Sequence, residues 1–172
     1  HSAARAIGDV SRNLDDEQLM ALKENGGVVQ TVAFQSYVNP EKNQAHRDAL
    51  DKLEKSVAEE MGFELMGRRA RFGLSDSDRE AYDIAVRPVQ EAIDARVDAE
   101  VNSIAPPVDV SDLADHIDYL VNLIGLEHVG ISSDFDGGGG VEGWNDAAET
   151  FNVTLELVRR GYTEQQIGML WS

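Results

Sequence analysis

The sequence predicts an α/β fold built around a parallel sheet. Two short runs, 28–34 and 128–131, are apolar and contain β-branched residues, as buried strands do. Segments with helical periodicity stand before, between and after these runs. Strands that alternate with helices along a chain form βαβ units, whose strands are parallel. We therefore expect the two strands to belong to one parallel sheet.

The first half of the chain is predicted as helix, strand, loop and long helix. A helix over 15–24 begins at two aspartates, which favour a helix N-terminus, and Asn25-Gly26-Gly27 ends it. The strand 28–34 follows, and 35–40 is the loop after it. Apolar residues then recur at helical spacing over 43–61.

The second half continues with helices on both sides of the second strand. A long helix is predicted over 76–103, with Pro88 as a point where it could kink. A helix over 110–124 has a clear apolar face and ends at Gly125. Two further helices follow the second strand, one over 146–160 and one that begins at Thr163 with Gln166 placed to complete a capping box.

Composition excludes several classes of protein. The chain of 172 residues carries a net charge of −17, with 32 acidic against 15 basic residues, which argues against nucleic acid as a partner. No run approaches the eighteen apolar residues of a membrane span, so no transmembrane segment is predicted. Because there is no cysteine, any metal must bind His, Asp or Glu, which suits zinc or another divalent ion.

The second strand leads into a stretch suited to a functional site. Asp134 and Asp136 follow the strand and are followed by four glycines, 137–140, which leave room for a ligand. In α/β barrels and open α/β sheets, catalytic residues and ligands lie at the carboxyl ends of the strands. A carboxylate that follows a buried strand, next to a loop without side-chain bulk, fits this pattern. The alternative is a solvated turn in which aspartate was chosen for turn geometry.

Several separated motifs occur in the order found in one known family. They are His1-Ser2-Ala3-Ala4-Arg5, Arg12-Asn13, Leu14-Asp15-Asp16, Ser133-Asp134-Phe135-Asp136-Gly137 and the stretch 157–164. Together they resemble the membrane (renal-type) dipeptidases, which are binuclear zinc peptidases of the amidohydrolase kind. The resemblance covers most of the chain outside about 43–105.

The resemblance implies that the chain is part of a (β/α)8 TIM barrel of the metal-dependent hydrolase type. A metal-binding histidine in this family follows a barrel strand, and no strand precedes His1. Residues 1–172 are therefore interpreted as the C-terminal part of one barrel domain, with the N-terminal half and most zinc ligands outside the sequence. The helices of about 43–105 exceed a normal barrel connection and are interpreted as an insertion, either a lid or an oligomer contact that would make a homodimer.

The resemblance also assigns site residues. His1 would bind one zinc ion of a binuclear Zn²⁺ site, Asp134 would transfer the proton, and Arg12 would hold the free carboxylate of a dipeptide substrate. Tyr37, on the loop after the first strand, is expected to line the substrate pocket. Two alternatives stay open: His1 is a tag remnant or frayed end, and Arg12 is an ordinary surface arginine.

Two other aspects of the sequence complete these expectations. Asp136 is expected to cap backbone groups of the glycine loop, and His116 to be a structural or solvated histidine rather than a ligand. Zinc-dependent hydrolysis of dipeptides is the predicted function. The alternatives are an amidohydrolase acting on another amide or lactam, and a non-catalytic acidic barrel domain used for binding. The family resemblance points to the periplasm or cell envelope.

Overall fold

The computed structural model describes residues 1–172, apart from the side chain of Arg68. The chain divides into two compact units. The first comprises His1–Gln44 with Pro107–Ser172, and the second comprises Ala45–Pro106.

The first unit contains a small parallel sheet. Strand β1 (Val29–Val32) pairs in parallel with strand β2 (Val129–Ser132), with Val29 opposite Val129. On the other side of β1, Ser2 makes a parallel bridge to Thr31, because its N–H donates to the carbonyl of Gln30 at 3.0 Å. Three segments thus run side by side in the same direction, and the loops that follow them leave from one edge of the sheet.

In the described part of the chain, eight α-helices surround these segments or form the second unit. In chain order they are α1 (Asp16–Glu24), α2 (Gln35–Val38), α3 (Pro40–Glu60), α4 (Arg68–Phe72), α5 (Asp76–Val97), α6 (Val110–Ile124), α7 (Thr150–Arg159) and α8 (Glu164–Leu170).

Helix α6 forms the centre of the first unit's core. Its residues Leu113, Ile117, Leu120 and Ile124 are fully buried. They belong to one apolar cluster with residues from both strands and from the last two helices, including Val29, Val129, Leu157 and Leu170. This packing explains why the stripe of apolar residues on 110–124 predicts the helix so well.

Several predicted helix ends are confirmed. Asp15 caps α1 in a capping box with Gln18, and Thr163 caps α8 in a capping box with Gln166. Gly125 ends α6 with a φ of 98°, a left-handed backbone that favours glycine.

Three predicted elements differ from the structure. The segment 35–40 is not simply a loop, because α2 forms one helical turn there and α3 begins at Pro40. The helix predicted over 76–103 ends at Val97 and continues as a π-helical turn, Asp98–Asn102. The helix predicted from 146 begins with a 3-10 turn, Ala147–Glu149, before α7.

The second unit has a separate apolar core. Leu53, Val57 and Ala58 from α3 cluster with Val89 and Ile93 from α5. The interpretation of about 43–105 as an inserted lid or oligomer contact stays a prediction.

The parallel α/β arrangement is confirmed, whereas the closed barrel is not. Within the described residues the sheet has two strands and is open. The (β/α)8 TIM barrel that the family resemblance predicts needs eight strands, and the sheet described here has two. None of the helices described above is long and apolar enough to cross a membrane.

Candidate active site

The side chains of His1 and Asp134 meet although 133 positions separate them in sequence. Nε2 of His1 lies 3.1 Å from Oδ2 of Asp134, and the two side chains are 36% and 28% exposed. Since an ionised carboxylate can only accept, the imidazole nitrogen is the donor. The structure thus brings together the predicted metal ligand and the predicted proton-transfer group, at a place that solvent can reach.

Asp134 has an unusual backbone conformation. Its φ of 55° and ψ of 34° lie in the left-handed region, and it is the one non-glycine residue with positive φ in the described chain. Its carbonyl accepts from the N–H of Gly137 at 3.0 Å and of Gly139 at 2.7 Å. The chain therefore turns sharply just after β2, and aspartate is one of the few residues that tolerate such a turn.

The glycines after Asp134 are needed for this turn. A Cβ atom at Gly139 would lie 2.0 Å from the carbonyl oxygen of Ser133, and one at Gly137 would lie 2.4 Å from Oδ1 of Asp134. Gly140 then donates to the carbonyl of Ala33 at 2.6 Å, which fastens the loop to the end of β1. Asp134 therefore has both the backbone conformation of a turn residue and a side-chain contact with His1.

The predicted role of Asp136 is wrong. Its side chain is exposed, and within the described residues its carboxylate makes no hydrogen bond to the glycine loop or to any other group. The loop is stabilised instead by the Asp134 carbonyl, which accepts from the N–H groups of Gly137 and Gly139.

Arg12 lies on the loop 5–13, here called the Arg12 loop, which connects the bridged residues Ala4 and Leu14. Its side chain is exposed, and its guanidinium forms no ion pair with any described residue. Its backbone is nevertheless fixed, because Oγ of the buried Ser2 donates to the Arg12 carbonyl at 3.0 Å. The hydroxyl of Ser2, the neighbour of His1, therefore ties the Arg12 loop to the N-terminal segment.

Tyr37 lies in the turn α2 after β1 and is joined to the Arg12 loop by Asn13. The buried side-chain amide of Asn13 donates to the carbonyl of Tyr37 at 2.7 Å and to that of Gly8 at 2.8 Å. The ring of Tyr37 stacks on Phe34, with centroids 4.4 Å apart. Phe34 in turn bridges to Gly140 of the glycine loop.

The four predicted site residues therefore fall into two linked pairs. His1 contacts Asp134 directly, and Arg12 is connected to Tyr37 through the Asn13 side chain. No hydrogen bond in the described part of the chain joins one pair directly to the other. Both pairs lie on the N-terminal segment and on loops that leave the same sheet edge.

His116 is structural, one of the two roles predicted for it, and joins the backbone next to the Arg12 loop to the end of α2. It is fully buried, accepts from the N–H of Ala4 on Nδ1 at 3.0 Å, and its Nε2 lies 2.7 Å from the carbonyl of Val38. Since Nδ1 accepts, Nε2 carries the proton and donates. Burial lowers the pKa of His116, so this neutral form is favoured.

The residues present fit a partial metal site. Within the described residues no group of three or more His, Asp or Glu side chains is placed to hold a metal ion. A catalytic zinc site usually takes three protein ligands, and His1 supplies one nitrogen donor. Its neighbour Asp134 adds a carboxylate within reach. These two groups fall short of a complete set of ligands.

The whole chain matches a family model. Residues 1–172 match the model described as membrane dipeptidase, peptidase family M19. The chain therefore belongs to the membrane dipeptidase family, as its motifs predict.

Sequence relatives include two proteins that are named as dipeptidases. The chain is 28% identical over 162 residues to dipeptidase aclJ of Aspergillus oryzae, a match that covers 94% of the chain and 24% of that protein. It is 41% identical over 59 residues to dipeptidase 3 of Rattus norvegicus, which covers 34% of the chain and 12% of that protein. The chain thus spans about a quarter or less of these relatives.

Solved structures of similar fold include two peptidases. The probable dipeptidase PvdM from Pseudomonas aeruginosa aligns with a TM-score of 0.63 and 35% identity, over 100% of this chain and 41% of that one. A metallo peptidase from Rhodobacter sphaeroides, liganded with a phosphinate mimic of the dipeptide L-Ala-D-Ala, aligns with a TM-score of 0.58 and 19% identity, over 99% and 31%. The second likeness shows the fold alone.

Proposed function

We propose that the protein containing this chain is a zinc-dependent dipeptidase and that the chain supplies part of its active site. The contact between His1 and Asp134 carries this proposal, because it joins a zinc-type donor to a proton-transfer group beside a loop free of side-chain bulk. Membership of the membrane dipeptidase family supports it. We further propose that the parallel segments belong to a (β/α)8 barrel whose other strands lie outside this chain.

His1 is the proposed metal ligand. The hydrogen bond to Asp134 uses Nε2, and a nitrogen that carries a proton cannot bind a metal ion. If Nε2 of His1 is the atom that binds the metal, metal binding would replace this hydrogen bond. The Asp134 carboxylate would then be free beside the bound ion. Bound zinc ions would supply polarisation of the scissile carbonyl and activation of water.

Asp134 is the proposed proton-transfer residue. Amide hydrolysis needs a group that removes a proton from water and delivers one to the leaving amine. The Asp134 side chain is partly exposed on a backbone that the turn holds in place, so water and a substrate could approach its carboxylate. Within the described residues, the only charged or ionisable side chain that the Asp134 carboxylate contacts is that of His1. If His1 binds a metal ion instead, the carboxylate is available to accept a proton.

Arg12 and Tyr37 are the proposed recognition residues. An exposed guanidinium on a fixed loop can make two parallel hydrogen bonds to the C-terminal carboxylate of a dipeptide. Tyr37, held against Phe34, would form an apolar wall of the pocket.

The proposal is tested on the full-length protein with dipeptides, their N-acetylated and C-amidated forms, and a β-lactam. We expect hydrolysis of free dipeptides, its loss after EDTA dialysis, and its recovery with zinc. Turnover of the lactam with no turnover of dipeptides would favour another amidohydrolase activity. No turnover of any substrate with zinc restored would contradict the enzymatic proposal.

The metal role of His1 is tested separately by elemental analysis. His1→Ala should lower zinc stoichiometry or affinity, because one nitrogen donor is lost. His46→Ala is the control, since His46 lies in the second unit and its Nδ1 contacts the carbonyl of Ala105. Unchanged zinc binding in His1→Ala would remove His1 from the site.

A further inference from the structure

Arg5 makes an unusual set of hydrogen bonds inside the Arg12 loop. Its Nε donates to the carbonyl of Val10 at 3.3 Å, and Nη2 donates to those of Ser11 at 3.2 Å and Asn13 at 2.7 Å. Its Nη1 lies 3.3 Å from Oδ2 of Asp15, the residue that caps α1. The guanidinium therefore sits inside the loop and bonds to it along most of its length.

Every carbonyl of the segment 10–13 accepts from a side chain. Arg5 takes three of them, and the fourth, that of Arg12, accepts from Oγ of Ser2. Such saturation is unusual for an exposed loop, whose carbonyls ordinarily face water. The backbone on both sides of Arg12 is thus fixed, whereas the Arg12 side chain remains exposed.

The Arg12 loop, which also includes Gly8, is pressed against the turn that carries Tyr37. A Cβ atom at Gly8 would lie 2.4 Å from the Tyr37 carbonyl oxygen, so the two backbones touch there. The Asn13 amide bonds to that same carbonyl. A loop held rigid by Arg5 therefore also sets the position of Arg12 relative to Tyr37.

We propose that Arg5 is a positioning residue for substrate recognition, which holds the 10–13 loop so that Arg12 and Tyr37 present a preformed carboxylate site. The inference rests on the proposed dipeptidase function and on the proposed role of Arg12. Fixing the loop before binding lowers the entropy cost of ordering Arg12 around a carboxylate. Arg5 itself does not touch the substrate in this scheme.

Lysine cannot replace arginine in this position. The Arg5 guanidinium spreads its donors over a planar fork and reaches four oxygens, whereas an ammonium is a single point with three donors. Arg5→Lys therefore keeps the charge and the long side chain while it releases part of the loop. This makes it a sharper test than truncation to alanine.

The test compares hydrolysis of a dipeptide with that of its C-terminal amide in the full-length protein. We expect Arg5→Lys to raise KM for the acid more than for the amide, with a loss of acid preference of up to roughly 10²-fold. Arg12→Lys should lose the same preference, and the double variant should lose little more than either one. Arg159→Lys, an arginine with a 67% exposed side chain, is the matched control.

The outcomes separate the inference from the proposed function. If Arg12→Lys loses the preference for the acid and Arg5→Lys keeps it, Arg5 serves only stability and the inference is overturned. If Arg12→Lys keeps the preference, the role of Arg12 is wrong and the inference falls with it. Additive losses in the double variant would also overturn the inference, because they would mean that Arg5 acts independently of Arg12.

A second variant covers the case in which Arg5→Lys does not fold. Asp15→Asn removes the charge that faces Nη1 of Arg5 but retains an oxygen that can cap α1. We expect a smaller loss of acid preference in the same direction. An unchanged preference in folded Asp15→Asn protein would then decide against the inference.

Discussion

Nε2 of His1 and Oδ2 of Asp134 lie 3.1 Å apart, on segments that flank β1 from opposite sides. A polar contact this exposed contributes little to stability, so the contact is poorly explained as a structural support. Its position beside the glycine loop is better explained by chemistry at the sheet edge.

Asp134→Asn should lower kcat without loss of zinc. The substitution keeps size and shape but removes the titratable group, so we expect a fall of roughly 10²–10⁴, the usual contribution of general acid–base catalysis. The acidic limb of the pH–rate profile should shift or disappear. Steady-state kinetics with parallel metal analysis measures both effects.

Asp136→Asn is the matched control for this change. Asp136 is exposed and has no hydrogen-bond partner in the described structure, so its loss should leave kcat and the melting temperature nearly unchanged. A larger loss of kcat in Asp136→Asn than in Asp134→Asn, at equal zinc content, would show that the wrong aspartate is assigned.

Gly139→Ala should disturb the turn at Asp134. The added Cβ would lie 2.0 Å from the Ser133 carbonyl oxygen, which is backbone and cannot move aside cheaply. We expect a loss of about 1–3 kcal/mol in the free energy of unfolding, together with lower kcat. Urea denaturation and kinetics test this.

Gly168→Ala provides the opposite expectation in the same protein. Gly168 lies inside α8 and nothing stands within 4 Å of a Cβ placed there. Alanine should therefore stabilise by about 0.5–1 kcal/mol, because it reduces the freedom of the unfolded chain. Equal effects at positions 139 and 168 would contradict the geometry of the glycine loop.

Arg12→Lys should raise KM for dipeptides with little change in kcat. Lysine keeps a positive charge but cannot make two parallel bonds to a carboxylate. Binding of a product-like amino acid, measured by calorimetry, should weaken in the same proportion as KM rises. An unchanged binding constant would mean that Arg12 does not bind the carboxylate and is an ordinary surface arginine.

The stability of the fold should fall in mild acid because of His116. Burial lowers the pKa of this histidine in the folded state. As the pH falls below about 6.5, the unfolded chain therefore binds a proton that the folded chain refuses, and the free energy of unfolding decreases. Above that pH the contribution of neutral His116 is fully present.

Comparison with His116→Gln isolates this contribution. The variant should be less stable at pH 7.5 by about 1–3 kcal/mol, because the Ala4 N–H or the Val38 carbonyl loses its partner. Its stability should change less than that of the original protein between about pH 7 and pH 5.5, the range in which an ordinary histidine titrates. Parallel curves for the two proteins would contradict the assigned protonation state.

The parts of the fold that sequence predicts are those with local causes. Helix α6 follows from its apolar stripe, and the start of α8 follows from Thr163 and Gln166, whose side chains bond within one turn. The turn α2 was missed because four residues carry no periodicity and Phe34 offers no side-chain cap. The π-helical turn after Val97 likewise has no sequence signal of its own.

The candidate site divides in the same way. His1, Asp134 and Arg12 were accessible through motifs, and Tyr37 through its place on the loop after the first strand, although their roles stay predictions. Arg5 stands in the first motif, but its role in holding the loop was not predicted, because three of its partners are backbone carbonyls, which every residue carries and no sequence pattern marks. Asn13 likewise stands in a motif, but the bond of its buried amide to the Tyr37 carbonyl was not predicted, for the same reason.

The left-handed backbone at Asp134 restricts which residues evolution can try at that position. β-Branched residues are disfavoured by their own Cβ substituents, whereas glycine, asparagine and aspartate fit the turn. A library randomised at this codon and screened only for soluble, folded protein should therefore retain mainly those three. A growth selection for peptide cleavage should retain aspartate alone, since glutamate carries the carboxylate on a backbone less suited to the turn.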